Sequence, residues 1–256
     1  MTGTCPAWAA EVVSSNIVGY SKLELANGYT MVGVPFQQVG TENAASVQYL
    51  KASGLAGFDW DAFDGGDKLM IWDPTQQMYP TTLIYTGDTQ TETMVGMGVP
   101  AGVWFDMDTF APADMELANG SAVWIVGSTA TGTVTLSGEV PTNAAPVQLV
   151  AGYNMVANPY PKAAPINDII SCSGLVGFDW DAFDGGDKLM IWDPAQQMYP
   201  TTLIYTGDTQ TATMLDMGVP AGVWFDMDTF AVAATEIPVG GAFWIVSSTG
   251  GTLTFK

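Results

Sequence analysis

The sequence predicts an all-β protein made of two tandem, near-identical small domains, each a β-sandwich or a β-barrel. Three observations carry this expectation. The stretch from Gly57 to Thr91 returns as Gly177 to Thr211, and Met97 to Ala111 returns as Met217 to Ala231, at a constant offset of 120. Across the 55 aligned positions of 57–111 and 177–231 only Thr75/Ala195, Glu92/Ala212, Val95/Leu215 and Gly96/Asp216 differ. Charged residues are sparse at 12% while hydrophobic residues reach 48%, with 29 glycines, a composition that suits sheets and tight turns and opposes disorder. Short apolar or alternating runs are separated by Asn-Gly, Asp-Pro and Pro-Ala-Gly turn signals, about six or seven strands to a unit.

Taken in order, residues 1–16 form a non-repeating lead-in, followed by unit 1 over 17–138, a linker over 139–146 and unit 2 over 147–256. In Asn16–Leu25 the alternation puts Leu23 and Leu25 on one face and Lys22 and Glu24 on the other, the period of a half-buried strand. Ala26-Asn27-Gly28 reads as a hairpin into the strand Tyr29–Phe36, because Asn and Gly accept positive φ. Unit 2 repeats this over Val147–Pro161, with Ala151-Gly152 at the turn. Thr41–Ser53 predicts a short helix capped by Thr41 and closed by Gly54, with a shorter partner at Pro165–Gly174. Lys68–Trp72 predicts a strand entering an Asp73-Pro74 turn, and Met78–Tyr85 the returning strand. Pro100-Ala101-Gly102 turns into Val103–Phe110, Ala122–Val126 follows Asn119-Gly120, and Thr133–Gly138 ends the unit. The Pro and Asn of the linker discourage both helix and ladder pairing.

The Gly152–Pro161 segment, the Trp-Asp-Pro turns and the Ala-Val-Trp-Ile-Val and Ala-Phe-Trp-Ile-Val strands resemble secreted bacterial β-repeat modules. Those modules carry a Gly-aromatic-Asn-apolar-Val-x-Asn-Pro strand near the start and a Gly-x-Phe-Trp-Val strand near the end. The resemblance implies an all-β fold and export. Unit 1 departs from it, with Val34 where unit 2 has Asn158.

Charge limits the partners. The net charge of -20, with no histidine and only six basic residues, repels phosphate backbones and anionic lipid, so neither nucleic acid nor membrane surface is expected. No apolar run reaches the roughly 18 residues of a membrane-spanning helix. Ala7-Trp8-Ala9-Ala10 has the small-residue pattern of an export cleavage site, which points to an extracellular or cell-surface location.

The richest polar cluster is Asp59, Asp61, Asp64 and Asp67, repeated as Asp179, Asp181, Asp184 and Asp187, with Gly-Gly inside each loop. Ca²⁺ takes six to eight oxygens on a loop that glycine allows to bend, so these eight acids are candidate Ca²⁺ ligands. The plain alternative is a solvated acidic turn with Trp60 and Phe63 packed inward. Asp106 and Asp108 are too little distinguished for glycosidase work, and without histidine no Ser-His or Cys-His relay exists. No catalytic residue is assigned. Tryptophans 60, 72, 104 and 124 and their counterparts are core residues or a sugar-stacking platform.

Identical surfaces on units in line favour a contact that repeats from chain to chain, so the leading functional expectation is a secreted structural subunit assembling head to tail into a filament or surface array. The alternative is a Ca²⁺-dependent glycan-binding or adhesive module of a cell surface. Cys5 and Cys172, the only cysteines, are an even pair and a candidate disulfide, within one chain or between chains, with two free thiols as the alternative.

Overall fold

The structure, a computed structural model, describes residues 17–39, 44–128 and 132–256. It is all-β, with short helices only and open antiparallel sheets, so the arrangement is that of sandwiches and the barrel alternative is not adopted.

In the first half a six-stranded sheet has the order Ala111–Pro112, Trp104–Asp106, Met78–Tyr85, Lys68–Asp73, Ala122–Gly127, Gly28–Gly33. The second half gives the same order in Ala231–Val232, Trp224–Asp226, Met198–Tyr205, Lys188–Asp193, Ala242–Ser247 and Gly152–Ala157. Against each large sheet lies a three-stranded one: Val18–Glu24, Thr133–Glu139, Lys51–Ser53 in the first half and Val147–Leu149, Gly251–Phe255, Ile170–Ser173 in the second. Val32, Leu69, Leu83, Val123 and Ile125 of the first large sheet close on Val134 and Leu136 of the small one. Val156, Leu189, Leu203, Phe243 and Ile245 close on Leu149 and Leu253 in the second half.

The central strands are apolar on both faces. In Lys68–Asp73, Leu69 and Ile71 enter the sandwich core, whereas Met70 and Trp72 point to the opposite side. Ala122–Gly127 behaves alike, with Val123 and Ile125 inward and Trp124 outward. A strand covered on both faces reads as a continuous apolar run rather than an alternation.

Four sequence expectations are corrected. The hairpin at Ala26-Asn27-Gly28 is a corner: Val18–Glu24 pairs with Thr133–Glu139, and Gly28–Gly33 pairs with Ala122–Gly127 in the other sheet. Gly28 takes φ +96°, which turns the chain from one layer to the next, and Thr30 Oγ1 accepts from Ala26 N at 3.1 Å to hold the corner. The expected helix over 41–53 is a strand Ala44–Ser46, one 3-10 turn Val47–Tyr49 and a strand Lys51–Ser53, with 41–43 outside the described residues. Tertiary contacts override the local pattern there. Gln48 donates to the carbonyls of Trp104 at 2.7 Å and Ala113 at 3.0 Å, and Val47 is buried. Asn167 makes the same two bonds to Trp224 and Ala233, both at 3.0 Å, so a connector of different length delivers an amide to the same place. The linker starts one residue later than expected, since Glu139 still pairs with Val18. Finally, Glu92–Met97 and Ala212–Met217 are one-turn helices that the sequence reading missed. Each has a threonine N-cap (Thr91, Thr211) and a left-handed glycine C-cap (Gly98, Gly218).

Candidate functional site

The acidic loops are the candidate ligand sites to which the sequence points. Asp59 Oδ1 accepts from Asp61 N and Ala62 N, both at 2.9 Å, closing the turn on itself; Asp179 does the same for Asp181 and Ala182. Asp64 and Asp184 each accept from the following glycine N at 2.7 Å. Asp61 and Asp181 receive the hydroxyls of Thr93 and Thr213 at 2.5 Å, tying each loop to the one-turn helix. Asp67 and Asp187 are different in kind: they are 2% and 1% exposed and lie among backbone donors. Asp67 accepts from Ala56 N at 2.9 Å, Ser128 N at 2.8 Å and Ser128 Oγ at 2.7 Å. Asp187 accepts from Val176 N, Ser248 N, Ser248 Oγ and Ser247 Oγ at 2.8 to 2.9 Å. These two carboxylates pin three chain segments together. The four acids of each loop are therefore spread along it, and among the described residues no three carboxylates or thiols gather into a group that could hold a metal ion.

The aromatic residues divide cleanly. Trp60 and Trp180 fill satellite cores beside Phe105 and Phe225, and Trp104 and Trp224 lie in the main cores. Trp72, Trp124, Trp192 and Trp244 lie together in a cluster contributed by both halves. Trp72 meets Trp244 edge-on at 5.1 Å, and Trp124 meets Trp192 at 5.2 Å. The offset of 120 maps one pair onto the other with the halves exchanged, which is the signature of a two-fold contact. Backbone bonds obey the same exchange: Gly33 N donates to Gly240 O and Ala157 N to Gly120 O, both at 2.8 Å. So do the side chains. Gln77 takes Tyr153 N on Oε1 at 2.7 Å and donates Nε2 to Tyr153 O at 3.0 Å, completing the strand edge as a backbone would. Gln197 repeats this with Tyr29 at 2.7 and 2.9 Å. Both glutamines have φ +53°, a left-handed conformation that non-glycine residues enter only when the surroundings fix them.

This seam forms a groove. Trp72, Tyr79, Tyr153, Met190, Tyr199 and Trp244 line a hollow of about 280 Å³. The indole N–H groups are spent on protein: Trp72 on Tyr153 O at 2.9 Å, Trp192 on Tyr29 O at 2.8 Å, Trp124 on the Tyr79 hydroxyl and Trp244 on the Tyr199 hydroxyl, both at 2.8 Å. Burial pushes the Tyr79 phenol up to about 12 and raises Tyr199 as well. Neither glutamine nor tyrosine was singled out by sequence reasoning. The available signal was the doubly apolar run Lys-Leu-Met-Ile-Trp, which demands a cover on the second face.

A third feature is the strand Val18–Glu24. Its inner edge pairs with Thr133–Glu139, and among the described residues no strand lies along its outer edge. Ile17, Val18 and Tyr20 are 71%, 68% and 69% exposed, while Lys22 is engaged by Glu24 at 3.3 Å. The matching strand of the second half, Val147–Leu149, is only 3 residues long.

Cys172 sits in the second core, and burial pushes its thiol up to about 12, with the Trp224 indole acting in the opposite sense. Its expected partner Cys5 lies outside the described residues, as does the whole lead-in. Asp108 N closes onto Asp106 Oδ1 at 2.9 Å, so that pair shapes a turn. Among the described residues no helix is long and apolar enough to cross a membrane. No protein-family model and no curated protein matches the chain.

Proposed function

We propose that the chain is a non-catalytic structural subunit of an extracellular filament or surface array, joined to its neighbours by strand addition at Val18–Glu24. The observation that supports this reading is the outer edge of that strand, which no other strand covers among the described residues. An exposed edge is a template for another chain, and folded proteins ordinarily shorten, charge or cover it. Here the other outer edges are short: Lys51–Ser53 and Ile170–Ser173 have 3 and 4 residues, and Ala111–Pro112 and Ala231–Val232 have 2 each. The inner edges Gly28–Gly33 and Gly152–Ala157 meet the opposite half at the seam through Gly240, Gly120, Gln197 and Gln77. Val18–Glu24 keeps 7 residues, and Val18 and Tyr20 stand exposed on the face that also carries Lys22 and Glu24.

The seam itself does not propagate. Its two-fold exchange closes the contact within one chain, so polymerisation requires two other surfaces, the edge strand Val18–Glu24 and a different edge of the next copy. A pairing of Val18–Glu24 with the same strand of another copy would stop at a dimer. Sedimentation velocity of the full chain and of Tyr20→Lys tests the reading. The wild type is expected to run as a concentration-dependent series of large species and the variant as a single small one. Identical single small species for both would overturn it.

A further inference from the structure

We propose that the aromatic seam is a carbohydrate-binding groove that takes a neutral glycan, with the rings of Tyr153, Trp72 and Trp244 under the sugar and the Tyr79 and Tyr199 hydroxyls as its donors.

Four observations carry the assignment. The hollow of about 280 Å³ has only Trp, Tyr and Met on its walls, on a molecule whose net charge is -20. An anion would find no counter-ion there and would meet the protein's repelling field, while a cation would meet two phenolic donors and no carboxylate, so an uncharged ligand fits. The rings are rigid: Trp72 packs on Tyr79 at 4.8 Å, Trp244 on Tyr153 at 5.7 Å and Trp72 on Trp244 at 5.1 Å, every pair edge to face. Edge-to-face packing leaves ring faces to be covered from outside, and the C–H face of a pyranose is flat and apolar enough to do so. Tyr153, on the wall of the hollow, is 45% exposed.

The third observation concerns protons. Tyr79 and Tyr199 each accept an indole N–H at 2.8 Å, yet among the described residues no acceptor takes either phenolic proton. Two half-buried donors beside ring faces match an amphiphilic ligand rich in oxygen better than a plain hydrocarbon. The fourth is pre-organisation. The glutamine bonds and the left-handed Gln77 and Gln197 fix the backbone under the rings, so little freedom remains to be lost on binding. A hollow just below the roughly 300 Å³ of the smallest usual ligand pockets suits one or two sugar rings.

The site differs from the surface proposed for assembly, so the two can fail separately. The test is calorimetric titration of the full chain, with intrinsic tryptophan fluorescence in parallel. The probes are cellohexaose, chitohexaose, mannohexaose and maltohexaose, with hexagalacturonate as the acidic control. At least one neutral hexaose is expected to bind with Kd below about 1 mM and to change the tryptophan emission. Tyr153→Ala should weaken it about tenfold without altering the melting temperature materially, and Tyr153→Phe, which keeps the ring, should restore it. Tyr20→Lys, which perturbs only the edge strand, should bind as wild type does. The assignment is overturned if no neutral hexaose binds, if hexagalacturonate alone binds, or if Tyr153→Ala leaves affinity unchanged. It is equally overturned if the tyrosine change abolishes self-association while no sugar binds, which would give the groove to a second copy of the chain.

Discussion

Replacing Asp187 by alanine tests whether the last acid of each loop is a pin of the fold. The carboxylate is 1% exposed and accepts two backbone N–H groups, of Val176 and Ser248, and two hydroxyls, of Ser247 and Ser248. An alanine orphans all four. The hydroxyls can turn to other acceptors, but the two N–H groups are fixed by the backbone, and an orphaned buried donor costs about 1–3 kcal/mol. The expected loss is therefore about 3–5 kcal/mol in all, or roughly 6–20 °C for a chain of this size. Asp67 accepts from three donors only, because Gly127 stands where the second half has Ser247. Asp67→Ala should be the milder change by about 1 kcal/mol, the worth of one hydrogen bond. Urea unfolding followed by tryptophan fluorescence measures both, with an unchanged slope confirming that the transitions compare. A loss under about 0.5 kcal/mol for either variant, or a larger loss for Asp67→Ala, would refute the pin.

Three further outcomes follow from the geometry. The Tyr79 phenol is raised in the folded state to about 12, above its unfolded value near 10. Its contribution is complete below pH 10 and disappears as pH rises through 12, so alkaline titration should show delayed tyrosinate absorbance and loosening of the seam in that window. The Cys172 thiol, buried and pushed up to about 12, should resist iodoacetamide at pH 8 until denaturant is added. A non-reducing gel that shows a multimer ladder, collapsing on reduction, would instead reveal the Cys5–Cys172 bond between chains. The Ca²⁺ expectation predicts a higher melting temperature with the ion than with chelator, because binding to the folded state stabilises it. Equal melting curves would leave the loops as solvated turns.

The fold class was legible because Gly, Asn-Gly and Asp-Pro turns punctuate short strands, and the Asp73-Pro74 turn between Lys68–Asp73 and Met78–Tyr85 lies where the residues placed it. What failed depended on contacts distant in sequence. Asn27-Gly28 looks the same locally whether it closes a hairpin or turns a corner, and the strand chosen by Val18–Glu24 lies more than a hundred residues away. Thr41–Ser53 has helical spacing, but Gln48 is drawn in to the Trp104 strand and Val47 into the core. The acids were legible as a cluster and not as individuals. Only their surroundings separate Asp67, sunk among amide donors, from Asp64 on an exposed turn. The seam was written in Met70, Trp72 and Trp124, whose apolar character on the second sheet face had no assigned cover. Its two-fold sense was not readable, since duplication supplies identical surfaces and says nothing of how they meet.

Electron microscopy of the purified full chain, stained at several concentrations, tests the central claim of self-assembly most directly. Regular filaments or sheets should appear in the wild type and be absent in Tyr20→Lys. A field of separate single-chain particles at every concentration in the wild type would contradict the account.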